Sequence, residues 1–249
     1  SPAPTSVPEW TTYPLGVAWA LLRAAGDAAT AAGLDLAIAS SVPVGAGLSS
    51  SAAIECAVAV ALNELWGADL SAKDLTRVGR TAENDAVGAP TGIMDQTASM
   101  LGQTDAAVFL DCRTLETEFV PLGLGAADLE VLVIDTLVTH AHSTGGYRER
   151  RASCEQGAAA MGAESLRDLS VHDLERAASV MDEVTFRRVR HVVTENERVL
   201  ETVRVLRESG PRAIGELLQR EEHLERQVVL VSPRALEMHA VAALLEVGP

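Results

Sequence analysis

Two short stretches of this chain gather residue types that could hold a phosphate and a metal ion. The first reads Pro43-Val44-Gly45-Ala46-Gly47-Leu48-Ser49-Ser50-Ser51-Ala52-Ala53. Glycines let the backbone turn tightly and bring its N–H groups close to a ligand. A helical pattern begins inside the serine run, so the unpaired N–H groups and positive dipole end of that helix point into the loop. Such an end is a ready anion site, and serine hydroxyls can complete a phosphate or metal shell. The loop is not a Walker P-loop, which needs a Lys; the single Lys of the chain, Lys73, lies far away in another helical pattern. Nor is it G-x-G-x-x-G, because Ser50 stands where the last glycine belongs. The bland alternative is a tight turn with an ordinary serine N-cap.

The second stretch runs Glu83-Asn84-Asp85-Ala86-Val87-Gly88-Ala89-Pro90-Thr91-Gly92-Ile93-Met94-Asp95-Gln96. Glu83 precedes a Gly/Pro break, and Asp95 falls at the start of a helix. Taken alone, an acid at a helix start is readily explained as a favourable dipole partner. Other candidates read as structure. His140 and His142 suit a solvated strand end, since two ligands alone do not make a metal site. Arg150-Arg151 reads as a helix-surface pair or salt bridge. Glu216, Glu221, Glu222 and Glu225 read as a solvated helix face.

The full strings say more than their parts. Pro-x-x-x-Gly-Leu-Ser-Ser-Ser-Ala before a helix resembles the phosphate loop of GHMP kinases. Gly92-Ile93-Met94-Asp95-Gln96, followed by Ala107-Val108-Phe109-Leu110-Asp111-Cys112-Arg113, resembles galactokinases in particular. Val133-Ile134-Asp135-Thr136, Tyr147, Cys154-Glu155, Leu166-Arg167-Asp168 and Arg187-Arg188-Val189-Arg190-His191 follow in the order seen in that family. The resemblance implies an α+β fold of two domains, expected at 1–125 (ribosomal-S5-like, with the ATP loop and catalytic Asp) and 126–249 (ferredoxin-like and helix-rich). It implies that Pro43, Gly45, Ala46, Gly47, Leu48, Ser49, Ser50, Ser51 and Ala52 wrap the phosphates of ATP. It implies that Glu83 and one serine hold Mg²⁺, Ser51 first and Ser50 close behind. Asp95 matches the acid that faces the sugar C1 hydroxyl, and Gly92 and Tyr147 match positions that contact galactose. The implied products are galactose 1-phosphate and ADP.

The resemblance has gaps. The family's Gly-Arg-x-Asn-x-x-Gly-Glu-His-x-Asp-Tyr segment and its Gly-Gly-Gly-Phe-Gly-Gly segment have no match here. The expectation is a chain truncated at both ends, weak or inactive as a kinase. The alternatives are a catalytically dead relative that binds ATP or sugar, or another GHMP sugar kinase acting on N-acetylgalactosamine or arabinose.

The positioning elements follow from periodicity. Helices are expected at 15–32, 49–66, 71–87, 147–161, 184–208, 215–227 and 235–246, and strands at 34–40, 106–111, 115–121 and 129–135. The apolar face of the second helix is read as Ala52, Ala53, Cys56, Ala57, Val60 and Leu65, with Gly67 as its C-cap. Ser71 is the expected N-cap of the third. Strands and helices do not alternate regularly, which favours α+β over a doubly wound sheet.

Composition sets outer bounds. The net charge of −15 argues against nucleic acid or an anionic membrane as partner, yet leaves room for ATP. No apolar run reaches the roughly 18–20 residues of a membrane span, and the first residues lack a signal-peptide pattern. The three cysteines lack metal spacing and read as free thiols. A cytoplasmic monomer is expected.

Overall fold

A computed structural model describes residues 8–44, 47–131, 146–219 and 230–231. They group into two compact units. The first holds the described residues up to Gly102 together with Leu110–Glu116; the second holds Gln103–Phe109 and the described residues from Thr117 onward. The boundary expected at 125–126 therefore falls inside the second unit.

Helix α1 (Thr12–Ala25) buries the stripe Gly16, Val17, Ala20 and Leu21. It stops before the expected residue 32 because Gly26 turns the chain with φ +56° while its N–H still reaches the Leu22 carbonyl. Residues 34–40 carry no strand ladder. Leu34, Leu36 and Ile38 show the alternation of a strand, but all three are exposed, and a strand forms only where a neighbour takes up its backbone hydrogen bonds.

Helix α2 (Ser50–Leu65) follows the loop. Its buried face is Ala52, Glu55, Cys56, Val58, Ala59 and Leu62, which corrects the expected face: Val60 and Leu65 are exposed. The helix is apolar nearly all round, so periodicity had no contrast from which to choose a side. Beyond it Gly67 takes the left-handed turn expected of a C-cap, at φ +60°. Helix α3 (Ala72–Thr81) opens on Ser71, whose hydroxyl accepts the Asp74 N–H at 3.2 Å. The helix then continues as a π-helical segment, Ala82–Val87, closed by Gly88 at φ +81°. The sequence pattern predicts a single helix over 71–87. Helix α4 (Met94–Leu101) completes the unit. Val17, Leu21, Ala59, Leu62, Trp66, Leu75, Val78 and Ala82 form its apolar core.

Strands β1 (Ala106–Asp111) and β2 (Glu116–Pro121) pair as a two-stranded sheet. The Asp111 carboxylate holds their connection by accepting the Arg113 and Thr114 N–H groups. In the second unit β3 (Glu130–Val131) pairs antiparallel with β4 (Leu230–Val231). The rest of the strand expected at 129–135 lies outside the described residues, as do His140 and His142. Helices α5 (Gly146–Met161), α6 (Leu174–Val180) and α7 (Glu183–Ser209) pack around Ala158, Met161, Ala177, Val189 and Val193. Asp182 caps α7 by accepting the Val184 and Thr185 N–H groups, and Gly210-Pro211 ends it. Arg151 pairs with Glu155 on the exposed face of α5. Helix α8 spans Gly215–Gln219; Glu221, Glu222, Glu225 and the helix expected at 235–246 lie outside the described residues. Helices mixed with short, separate sheets make the chain α+β, as expected.

The α5–α7 contact rests on a missing side chain. A Cβ on Gly157 would stand 2.3 Å from Cγ2 of Val189, a β-branched residue with no exposed surface and little rotamer freedom in a helix. Gly157→Ala gains about 1 kcal/mol of helix propensity but overpacks the contact, at about 1–3 kcal/mol. Urea denaturation should show net destabilisation, and Val189→Ala in the same chain should cost less than the two changes summed.

Candidate functional site

The site is assembled from three helix ends of the first unit. At the loop, Pro43, Val44, Gly47 and Leu48 are exposed. Gly47 and Ser49 both have left-handed backbone, at φ +76° and +53°. Such a conformation is uncommon for serine and is found disproportionately where a segment has a task beyond packing. Ser49 makes no side-chain cap, and its carbonyl already accepts the Ala53 N–H. The N–H groups of Ser50, Ser51 and Ala52 therefore stand in the first turn of α2, where no intrahelical acceptor exists. Gly45 and Ala46 lie outside the described residues.

Ser51 and Glu55 share one face of α2, a turn apart. Glu55 is fully buried. Its Oε2 accepts a hydrogen bond from Nε2 of Gln96 at 2.9 Å, and the same nitrogen donates to Oε2 of Glu83 at 2.9 Å. One amide on α4 thus bridges an acid on α2 and an acid in the π-helical segment. Glu83 Oε2 accepts a second bond from the Thr91 hydroxyl at 2.6 Å. Asn84 fixes that neighbourhood by donating to the carbonyls of Arg80 and Thr91. Asp95, beside Gln96, stands half-buried in the first turn of α4. Among the described residues no ion pair reaches Glu55, Glu83 or Asp95.

This concentration of acid has an electrostatic signature. Burial first, then the Glu83 charge, push the Glu55 carboxyl up to about 8; Asp95 adds to the rise, and the Gln96 hydrogen bond opposes it. Tyr13 of α1 is raised by burial and by Glu83 and Glu55. Cys56 is pushed up to about 11, chiefly by burial, so its thiol is inert at neutral pH. A cation beside these acids would relieve their repulsion.

The structure thus brings Ser51, Glu83 and Asp95, three of the residues singled out in the sequence, to the ends of mutually packed helices. Gly92 leads into α4 with nothing within 4 Å of where a Cβ would stand, so packing does not explain the glycine. Tyr147 belongs to the other compact unit, in the first turn of α5. Two participants were missed in the sequence. Gln96 stands in the sequence only as the end of the 92–96 string, and Glu55 lies inside an apolar helix. The available signal was that Glu55 is the only charged residue in the run 50–62. Among the described residues no group of three or more His, Cys, Asp or Glu side chains forms a ready metal cage.

Residues 12–103 match the model of the GHMP kinases N terminal domain. The chain is 50% identical over 218 residues to a galactokinase of Streptomyces coelicolor, an alignment covering 87% of this chain and 56% of that protein. It is 36% identical over 240 residues to a galactokinase of Mycobacterium tuberculosis, covering 96% of this chain and 65% of the relative. The crystal structure of Lactococcus lactis galactokinase complexed with galactose superposes with a TM-score of 0.76 at 30% identity, covering 86% of this chain and 56% of that one. The chain thus spans between about half and two thirds of the length of these relatives.

Proposed function

Because the chain belongs to the galactokinases of the GHMP kinase superfamily, we propose that it transfers the γ-phosphate of ATP to the C1 hydroxyl of galactose. The observation that supports this reading is the Gln96 bridge, which ties Glu83 to Glu55 of α2 from the residue next to Asp95 in the first turn of α4.

Phosphoryl transfer needs positioning and charge neutralisation more than covalent chemistry by the protein. The loop from Pro43 to Ala52, with Gly45 and Ala46 in its middle, supplies backbone N–H groups to the ATP phosphates. Asp95 accepts the proton of the sugar C1 hydroxyl as its oxygen attacks the γ-phosphorus. The new bond is O1–P; the bond that breaks joins that phosphorus to the bridging oxygen, which leaves with ADP. Gly92, which leads into α4, contacts the sugar.

The donors present suit Mg²⁺. That ion takes one or two carboxylates plus phosphate and water oxygens; both hydrogen bonds to Glu83 fall on Oε2, so Oε1 accepts neither of them. Glu83 and the hydroxyl of Ser51, or of Ser50 next to it, would hold the ion. When bound it would neutralise charge on the phosphate oxygens. Thiols such as Cys56 and Cys154 and the use of ATP suit a reducing, ATP-containing compartment, the cytoplasm.

The test is ADP release with Mg²⁺ and ATP, with and without galactose, and phosphorus NMR of the product. The expected result is sugar-dependent release and phosphate on C1. Release from a folded chain that ignores galactose would overturn the proposal. A second measurement probes the sugar contact. Gly92→Ala should leave the urea midpoint nearly unchanged, since the new methyl meets nothing, yet raise KM for galactose about ten-fold, a cost of about 1.4 kcal/mol in binding.

A further inference from the structure

A fully buried carboxyl group is costly unless something in the fold makes use of it. Glu55 has no ion-pair partner among the described residues, and its Oε1 is buried without a hydrogen-bond partner. The one hydrogen bond it accepts among the described residues comes from Gln96 Nε2. A leucine in that place would remove the desolvation cost and keep much of the packing.

The surroundings are built around this one bond. Gln96 is 1% exposed, and α2 grips it twice: Glu55 takes its side-chain amide, and the thiol of Cys56, the next residue, donates to its backbone carbonyl at 3.7 Å. Helix α3 makes room for the bridge at Gly79, where a Cβ would stand 3.0 Å from Cγ of Gln96 and 3.6 Å from Oε2 of Glu55. An amide presents a donor end and an acceptor end. Here the donor end, Nε2, faces the pair: Oε2 of Glu55 and Oε2 of Glu83 both accept from it. Glu55 therefore fixes which end of Gln96 meets Glu83, and the Thr91 hydroxyl completes the hold on the same Glu83 oxygen.

We infer that Glu55 is a positioning residue: acting through the Gln96 amide, it orients Glu83 so that its Oε1 is presented to the nucleotide-bound cation. This rests on the reading of Glu83 as a cation ligand given above. Glu55 itself is too deeply buried to touch a ligand. Groups that orient metal ligands from behind typically change metal affinity by about 10- to 100-fold when removed.

The experiment titrates the chain with Mn²⁺ and ATP, in the absence of sugar, reading the free ion by electron paramagnetic resonance, with thermal melts run alongside. Unsubstituted chain should bind, and Glu83→Gln should not; if the unsubstituted chain binds no ion, the cation-site reading itself fails. Given that control, Glu55→Leu and Gln96→Met should each weaken Mn²⁺ binding about ten-fold or more. Glu55→Gln keeps an oxygen that can accept from Gln96, and its affinity should stay within about two-fold of the unsubstituted chain. Folded Glu55→Leu or Gln96→Met binding like the unsubstituted chain would overturn the inference. Equal loss in Glu55→Gln would also overturn it, because the effect would then not follow the hydrogen bond to Gln96. Should Glu55→Leu not fold, Gln96→Met against Glu55→Gln decides between the same outcomes. A merely structural role would move the melts and leave the ion affinity alone.

Discussion

Asp95→Asn is expected to cut galactose-dependent ADP release by about 10²- to 10⁴-fold, the usual worth of a positioned general base. Asparagine keeps the size and much of the polarity of the side chain but cannot take up a proton. Asp95 accepts no hydrogen bond among the described residues, so the fold has little reason to notice the change, and the urea midpoint should barely move. KM for ATP should also hold, because the loop proposed for the nucleotide leads into α2 and not into α4. Steady-state kinetics on the two chains checks all three points. If turnover survives within ten-fold, Asp95 only orients the sugar, and the proton leaves by another route.

The position of Asp95 at a helix start was legible in the sequence because that signal is local, whereas its proposed role came from the resemblance alone. A Gly/Ser loop running into a helix is complete within a few residues. So are the Ser71 cap, the Gly67 C-cap and the Gly210-Pro211 stop, each of which satisfies its own backbone within one turn. What the sequence concealed depends on partners far along the chain. Glu55 meets Gln96 across 41 positions, and nothing near either residue announces the pairing. The buried side of α2 was misread for the same reason: in a helix of Ala, Val and Ile, the face is chosen by what packs on it. The π-helical segment at Ala82–Val87 inserts one extra residue per turn where Glu83 must reach Gln96 and Thr91, and helical periodicity carries no mark of such an insertion. Residues 34–40 failed in the opposite sense. Their alternation was clear, but a strand is a relation between two segments, and no described segment pairs with this one.

The second large effect concerns pH. In the folded chain the Glu55 carboxyl titrates at about 8, against an ordinary value of 4.5. The groups that face it are Glu83 on the π-helical segment, Asp95 and Gln96 on α4, Cys56 on its own helix and Tyr13 on α1. Apart from the Gln96 amide, none of them stabilises the ionised form. Between those two pH values the folded state binds a proton that the unfolded state has released, so stability falls as pH rises, by at most about 1.4 kcal/mol per pH unit for one group. The contribution is fully present below pH 4.5 and lost as pH passes through 8. Asp74, Asp173 and Asp182 are all lowered, so their opposite effect acts below this window. Urea midpoints in chelator-containing buffer should therefore decline from pH 5 to pH 8, and Glu55→Gln, which cannot ionise, should flatten that decline. An unchanged slope in Glu55→Gln would mean that the lost stability belongs to other groups and that Glu55 is ionised in the fold. The same measurement with Mg²⁺ and ATP added should shrink the decline, since a cation on Glu83 removes part of the repulsion that keeps Glu55 protonated.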